Sequence, residues 1–436
     1  MFQLQLETPP PGGVEPLERP DIADLLEEAR QRTLWLVAPV CDPNLDRVHN
    51  PLMSPLAWDL AHIAAFEELW ICTRVGDRDP MHPDLLHVYD AIETPRAVRG
   101  DVEHLDVPET RAYLAAVRER SLRVLEGADL ARAGFVFEMV IQHEHQHNET
   151  MLQTLALADP GVYAPPARPP AAARDGVPAG MVRIDAGSFL AGAAAGRFTY
   201  DNERPQHEVD LPTFEIDRLP VTNGEYLDFV EAGGYRRRLS WSEAGWAWRT
   251  ENGVERPLYW TADGKVRRFD RDEALNPDLP VMHVSWYEAD AFARWRGKRL
   301  PTELEWEKAA AWGPGATKPR RRPWGEDPAT RRRANLDQVS FGPAPVGTLP
   351  EGASAYGVHG LLGDAWEWTS SEFAGYDGFR AHPYREYSEV FFGTDHRVLR
   401  GGSWATRGRV ASATFRNWDY PTRRQIFAGF RIASDA

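Results

Sequence analysis

The stretch from Ala164 to Gly180, APPARPPAAARDGVPAG, constrains the fold of this chain more than any other. Proline has no amide hydrogen for a helix interior or a central strand, and mixing it with alanine and glycine leaves neither a helical face nor a strand face. It separates two stretches of different periodicity: a domain over residues 1–163 and another over 181–436, with 164–180 as the linker. A chain of 436 residues also exceeds what one hydrophobic core usually supports, which agrees with two domains.

From Asp21 to about Asp159 apolar residues recur at helical spacing. Leu25, Leu26 and Ala29 predict a first helix, and Ser54 followed by Pro55 supplies an N-cap and first-turn pair for a second. A third fits Pro108 to Glu126, with Tyr113, Leu114, Val117 and Val124 on one side, and a fourth runs from about Ala133 to Ala158. Four such helices predict an up-and-down bundle. Beyond Gly180 come short β-like runs, such as Met181–Ile184 and His207–Leu211, broken by Gly, Pro and Trp, with one amphipathic helix over Trp286–Trp295. This half reads as an irregular α+β domain. Sixteen tryptophans suit a stacked, loop-rich core, because each indole must bury its body and still pair its N–H.

A formal charge of −15 gives no general attraction for nucleic acid or an anionic membrane, so small-molecule partners are expected. The basic runs Arg320–Arg322 and Arg331–Arg333 read as solvated loops. Cys41 and Cys72 are too few for a disulfide framework and suit a reducing compartment. Met1 to Arg19 lacks the basic and apolar blocks of a signal peptide, and no run is long enough to span a bilayer. A cytoplasmic monomer is the expectation.

The segment IQHEHQHNETM in the fourth helix puts His143 and His147 on one face, about one turn apart, on a stripe with Val136, Met139, Val140 and Met151. His145 points nearly the opposite way and is excluded as a ligand. His62 shares a stripe with Trp58, Phe66 and Leu69, so it also faces the bundle core. Any one of these alone is more often a satisfied core histidine; three on converging apolar stripes, two at ligand spacing, favour a metal site. The metal stays open at this point. His143, Glu144 and His147 also spell H-E-x-x-H, the zinc-hydrolase helix with its glutamate base, although no extended H-E-x-x-H-x-x-G-x-x-H pattern follows and the next segment, NETMLQTLALADP, offers Glu149 but no histidine.

SPLAWDLAHIAAFEELW around His62 and IQHEHQHNETMLQ around His143 resemble the hercynine oxygenases, the ergothioneine-forming sulfoxide synthases. So do LPVTNGEYLDFVEAGGY from Leu219, VSWYEADAFARWRGKRLPTELEWEKAAAW from Val284, GLLGDAWEWTSSEF from Gly360 and VLRGGSWATR from Val398. The resemblance covers nearly the whole chain. It implies a DinB-like four-helix bundle followed by an irregular C-type-lectin-like domain of the formylglycine-generating, sulfatase-modifying fold. Formylglycine formation itself is not expected, because both cysteines lie in the N-terminal half.

The resemblance further implies that His62, His143 and His147 hold Fe(II). It assigns Arg96 and Arg99 in TPRAVRGD to the carboxylates of γ-glutamylcysteine, a task guanidinium suits. In FRNWDYPTRRQIFAGFR it sets Asn417 and Trp418 beside the trimethylammonium substrate hercynine, and Asp419 at the amine of the thiol substrate. Gln146 matches a residue near the substrate imidazole, and Tyr384 in HPYREYSEVFF the tyrosine beside the reacting sulfur and oxygen, with Tyr387 close enough in sequence to be confused with it. The reaction implied is O2-dependent joining of the sulfur of γ-glutamylcysteine, or cysteine, to C2 of hercynine as a sulfoxide, with no organic cofactor. Open alternatives are another sulfur or selenium donor, a non-catalytic lectin-like binding module, and zinc hydrolysis.

Overall fold

The computed structural model describes residues 18–166 and 176–436; the acidic, Pro-rich N-terminal stretch up to residue 17 and residues 167–175 of the expected linker lie outside the described residues. The chain divides into two compact units, Met1–Pro165 with Ala195–Phe198, and Pro166–Ala194 with Thr199–Ala436. Among the described residues no helix is long and apolar enough to cross a membrane.

The first unit holds α1 (Arg19–Val37), a short α2 (Asp42–Asp46), α3 (Leu56–Glu67), α4 (Val107–Gly127) and α5 (Leu130–Leu157). The four long helices are the expected ones. Asp106 caps α4, accepting from Glu109 N at 2.8 Å while Glu109 returns a bond to Asp106 N at 3.0 Å. Asp129 caps α5, accepting from Ala131 N at 3.1 Å. At α3 the expected cap is off by one residue. Pro55 takes the N-cap with φ −55° and ψ 142°, and Ser54 Oγ instead accepts from Arg99 Nη1 at 3.0 Å. Proline's fixed φ suits the extended entry, and the hydroxyl is drawn to a buried guanidinium. α3 then widens without a break into a π-helical segment, Glu68–Val75, which periodicity at 3.6 residues per turn did not anticipate.

Each long helix contributes one charge to a buried cluster: Arg30 on α1, Glu67 on α3, Arg118 on α4 and Glu144 on α5. Arg30 bonds Glu67 at 2.8 Å and Glu144 at 2.9 Å, while Arg118 bonds Glu67 at 2.8 Å and Glu144 at 3.1 Å. Leu114 O at 2.7 Å from Arg30 Nη1, Thr33 Oγ1 at 2.8 Å from Glu144, and Leu26 O against Arg118 occupy further donors and acceptors. Charges this deep persist only when paired and hydrogen-bonded, as here. Local sequence signals none of these pairings, because each partner lies on another helix.

The second unit contains β1 (Met181–Ile184), β2 (Gly187–Ala191), β3 (His207–Leu211), β4 (Phe214–Asp217), α6 (Asn223–Glu231), α7 (Glu243–Glu251), β5 (Lys265–Arg268), β6 (Arg271–Ala274), α8 (Trp286–Trp295) and α9 (Glu303–Ala311). It continues with β7 (Trp366–Glu372), β8 (Arg397–Arg400), β9 (Asn417–Asp419), β10 (Ala428–Gly429) and β11 (Ala433–Asp435). The sheets run β1-β4-β11 and β10-β7-β8-β9, with β2-β3 and β5-β6 as separate pairs. This is the irregular α+β fold expected, and β1, β3 and α8 fall on the segments read from the sequence. Capping boxes start α6 (Thr222, Glu225), α8 (Ser285, Glu288) and α9 (Thr302, Glu305). Several indoles pair as expected, Trp306 Nε1 to Glu367 at 2.8 Å, Trp368 to Val284 O at 3.0 Å and Trp286 to Thr369 O at 2.8 Å, whereas the buried Trp404 Nε1 has no hydrogen-bond partner among the described residues. Arg416 grips Glu303 of α9 at 2.8 Å through two nitrogens and Asn202 O at 2.7 Å, which fixes the start of β9.

Glu67→Ala is expected to lower unfolding free energy by about 3–5 kcal/mol, since it leaves two buried guanidinium groups sharing the single carboxylate of Glu144. Asp159→Ala, which breaks the exposed Arg47–Asp159 pair, is expected to cost less than about 1 kcal/mol. Urea titrations of both variants check the contrast. Burial alone would raise the Glu67 carboxyl, but the Arg118 and Arg30 charges outweigh it and push it down to about 2 from 4.5. Its stabilisation is therefore complete above about pH 4.5 and is lost as pH falls through about 2.

Candidate metal centre

α3 brings His62, and α5 brings His143 and His147, to one point in the first unit; among the described residues their candidate donor atoms all lie within 4.8 Å of one another. Ring centroids are 5.1 Å apart for His62 and His143, 4.7 Å for His62 and His147, and 4.5 Å for His143 and His147.

The surroundings fix each ring. His62 Nδ1 donates to Tyr89 O at 2.6 Å, which leaves Nε2 as its donor atom. Trp58 stacks on His62 with centroids 5.0 Å apart, Trp58 Nε1 donates to Val88 O at 3.0 Å, and the Arg99 guanidinium lies 3.7 Å over the indole. Phe66 stacks on His143 at 3.7 Å. His147 Nδ1 faces Asp59 Oδ1 at 3.7 Å. Burial, then the neighbouring His147, pushes His62 down to about 3, and burial with the other two imidazoles pushes His143 well below the ordinary value. Both are thus neutral, the form that coordinates. Burial alone would raise the Asp59 carboxyl, but His147, Arg99 and Arg96 outweigh it and hold it below the usual range. Three imidazoles with outer contacts of this kind fit a divalent transition metal.

His145 is buried on another side of α5, its Nε2 3.5 Å from Glu28 of α1. Glu144, the glutamate of the H-E-x-x-H pattern, is bound to Arg30 and Arg118 in the bundle interior and is 1% exposed. A general base must reach a metal-bound water, and this carboxylate is turned away and fully engaged. The zinc-hydrolase reading therefore loses its base.

Gln146 is half-buried beside His147 in sequence. Arg96 is half-buried in a short 3-10 turn, Arg96–Val98. Arg99 is buried and directs its guanidinium to Thr94 O at 2.9 Å, Ser54 Oγ at 3.0 Å and Ala91 O at 3.1 Å, so in this structure it staples the loop that carries Val88 and Tyr89 onto α3.

The remaining expected residues belong to the second unit. Trp418 on β9 stacks on Phe373 at 4.2 Å and meets Tyr387 edge-on at 5.8 Å. Asn417 Oδ1 accepts from Trp418 N at 2.9 Å, and Asp419 pairs with Arg423 at 3.4 Å. Tyr384 lies edge-on to Tyr387 at 6.2 Å, so Tyr387 stands between Tyr384 and Trp418 in this run of rings; it also stacks on Tyr200 at 4.2 Å. Burial, then Tyr200 and Tyr384, pushes the Tyr387 phenol well above its ordinary value, so it stays protonated. Asp201 holds this loop, accepting from Ser388 Oγ at 2.6 Å and His382 N at 3.2 Å.

Sequence reasoning passed over Asp59 and Asp201. A carboxylate inside the otherwise apolar stretch LAWDLAHIAAF, three residues before His62, was the available signal for the first. None marked the second, whose partners lie more than 180 residues away.

Residues 25–151 match the family model of the DinB superfamily, and residues 167–436 that of the sulfatase-modifying factor enzyme 1-like domain. The chain is 47% identical to the hercynine oxygenase of Mycolicibacterium thermoresistibile, over 97% of this chain and 96% of that protein. It is 47% identical to the hercynine oxygenase of Mycolicibacterium smegmatis over 96% and 100%, and 48% identical to that of Mycobacterium tuberculosis over 94% and 97%.

Replacing His62, His143 or His147 by Ala is expected to abolish stoichiometric metal binding, measured by anaerobic titration, whereas His145→Ala is expected to retain it. Loss of metal in His145→Ala with retention in His147→Ala would reverse the ligand assignment.

Proposed function

This chain belongs to the hercynine oxygenase family and is an oxygenase, and we propose that it acts in ergothioneine biosynthesis, joining γ-glutamylcysteine, or cysteine, to hercynine as a sulfoxide. The observation that carries the reading is the convergence of three imidazoles, one buried and two half-buried, the buried one with its outer nitrogen tied to a backbone carbonyl. Iron(II) bound there would supply the electron transfer that lets O2 react with a thiolate. The reaction balances without another reductant. Thiol S–H and imidazole C2–H are lost, one S–C and one S–O bond form, four electrons leave sulfur and its partner carbon, and O2 takes them to give the sulfoxide oxygen and one water.

The chain's own groups divide the work. Arg96 suits a carboxylate of the thiol substrate and Asp419 its ammonium. The Trp418 face suits a trimethylammonium group, with Asn417 beside it, and Gln146 the hercynine ring. Tyr384 would supply a proton or hydrogen bond at the reacting oxygen. The ring contacts of Tyr387 with Trp418 support it as the competing choice. The deciding experiment incubates Fe(II)-loaded protein with hercynine, each thiol and O2, and reads products by mass spectrometry. Absence of any hercynyl sulfoxide would overturn the reading.

The two arginines are expected to separate. Arg96→Met should raise the apparent Kd for the thiol by roughly tenfold or more, the loss of one charge-assisted contact, with hercynine affinity nearly unchanged. Arg99→Met should reduce thermal stability and metal affinity, because it removes the staple above Trp58 and His62. Steady-state kinetics and metal titration distinguish them. For the tyrosines, Tyr384→Phe is expected to shift product about tenfold from coupled sulfoxide toward the sulfinic acid, which needs only ~1.4 kcal/mol of barrier difference. The same shift in Tyr387→Phe alone would transfer the role.

A further inference from the structure

Asp59 is 0% exposed, on α3 one turn before His62, and neither of its carboxylate oxygens has a hydrogen-bond partner among the described residues. His147 Nδ1 is likewise buried without a hydrogen bond, and the two unpaired groups face each other at 3.7 Å. An unpaired carboxylate in a bundle interior is costly, so its retention opposite an unpaired ring nitrogen needs a reason. A movement of under about 1 Å would bring the pair to hydrogen-bond distance.

We infer that Asp59 is a positioning residue: it accepts the Nδ1–H of His147, fixing the tautomer and ring plane that present Nε2 to a metal. The inference rests on the three-histidine metal reading and deepens it. His62 has a counterpart device in Tyr89 O, a neutral acceptor at 2.6 Å. Two ligands would then be oriented by different outer partners, one a carbonyl and one a carboxylate. The carboxylate makes its imidazole the more strongly donating of the two. Beyond His147, the charges acting on Asp59 are those of Arg99 and Arg96. Arg99 therefore bears on both devices, through Trp58 on His62 and through its charge on Asp59.

The test uses the full chain, wild type and as Asp59→Ala and Asp59→Asn. Co(II) alone is the probe, its affinity read by competition with a chelator. The His147 tautomer is read in metal-free protein from nitrogen-15 histidine spectra, with His147→Ala to assign the signal. Both variants are expected to bind Co(II) about 10- to 100-fold more weakly and to lose the Nδ1–H preference of His147. Asp59→Asn is isosteric and carries the comparison if Asp59→Ala does not fold. Its amide can donate to Nδ1 and so favour the tautomer in which Nε2 is blocked by a proton. Co(II) affinity within twofold of wild type in the folded variants, or a His147 that keeps its proton on Nδ1 without the carboxylate, would overturn the inference. A wild type that binds no Co(II) would overturn the metal reading, and the tautomer measurement would still decide the part played by Asp59.

Discussion

The buried cluster of Arg30, Glu67, Arg118 and Glu144 is the constraint on which the first unit depends. Each of the four long helices supplies one charge, and each acid is held by both arginines. Apolar packing alone would tolerate helices sliding or rotating by a fraction of a turn. Hydrogen-bond geometry between guanidinium and carboxylate does not, because a displaced partner leaves a charge unpaired in a low-dielectric interior. The cluster sets the rotation of α5, since Glu144 faces it while His143 and His147 face α3. A pattern that reads as a hydrolase helix is thereby divided between two tasks, one structural and one ligating.

Around the histidines the same logic operates on a smaller scale. A metal site needs imidazoles whose rings cannot turn and whose outer nitrogens are already committed. The loop after the π-helical segment answers this for His62, through Tyr89 O on the ring and Val88 O on the stacked Trp58. Arg99 closes the loop over that stack with bonds to Thr94, Ala91 and Ser54. Irregular backbone is therefore no less important to the centre than the helices are. In the second unit the run of rings Phe373, Trp418, Tyr387 and Tyr200 is a comparable device, with Asp201 anchoring the loop that carries both candidate tyrosines, Tyr384 and Tyr387.

Much of this was readable in the sequence because it depends on period and local chemistry. Helical spacing marked the four long helices, and the i, i+4 histidines could lie only on one face. The capping boxes Thr222–Glu225 and Thr302–Glu305 were equally legible signals for α6 and α9, although the sequence reading named only α8. Ser54 misled because its hydroxyl was claimed by a residue 45 positions away. Such claims are invisible to any local rule.

The sequence by itself determined the two-part organisation, the helical faces and the three imidazoles, since backbone sterics and 3.6-residue periodicity act within one segment. The tertiary structure alone decided what each polar residue on those faces does. It committed Glu144 to two arginines rather than to a base's task, turned Arg99 inward as a staple, and set Asp59 against His147. It also put Tyr387 between Tyr384 and Trp418. The physical reason is common to all four. The fate of a buried charge or phenol depends on the partner that folding brings within about 3–6 Å, and that partner usually lies on another element.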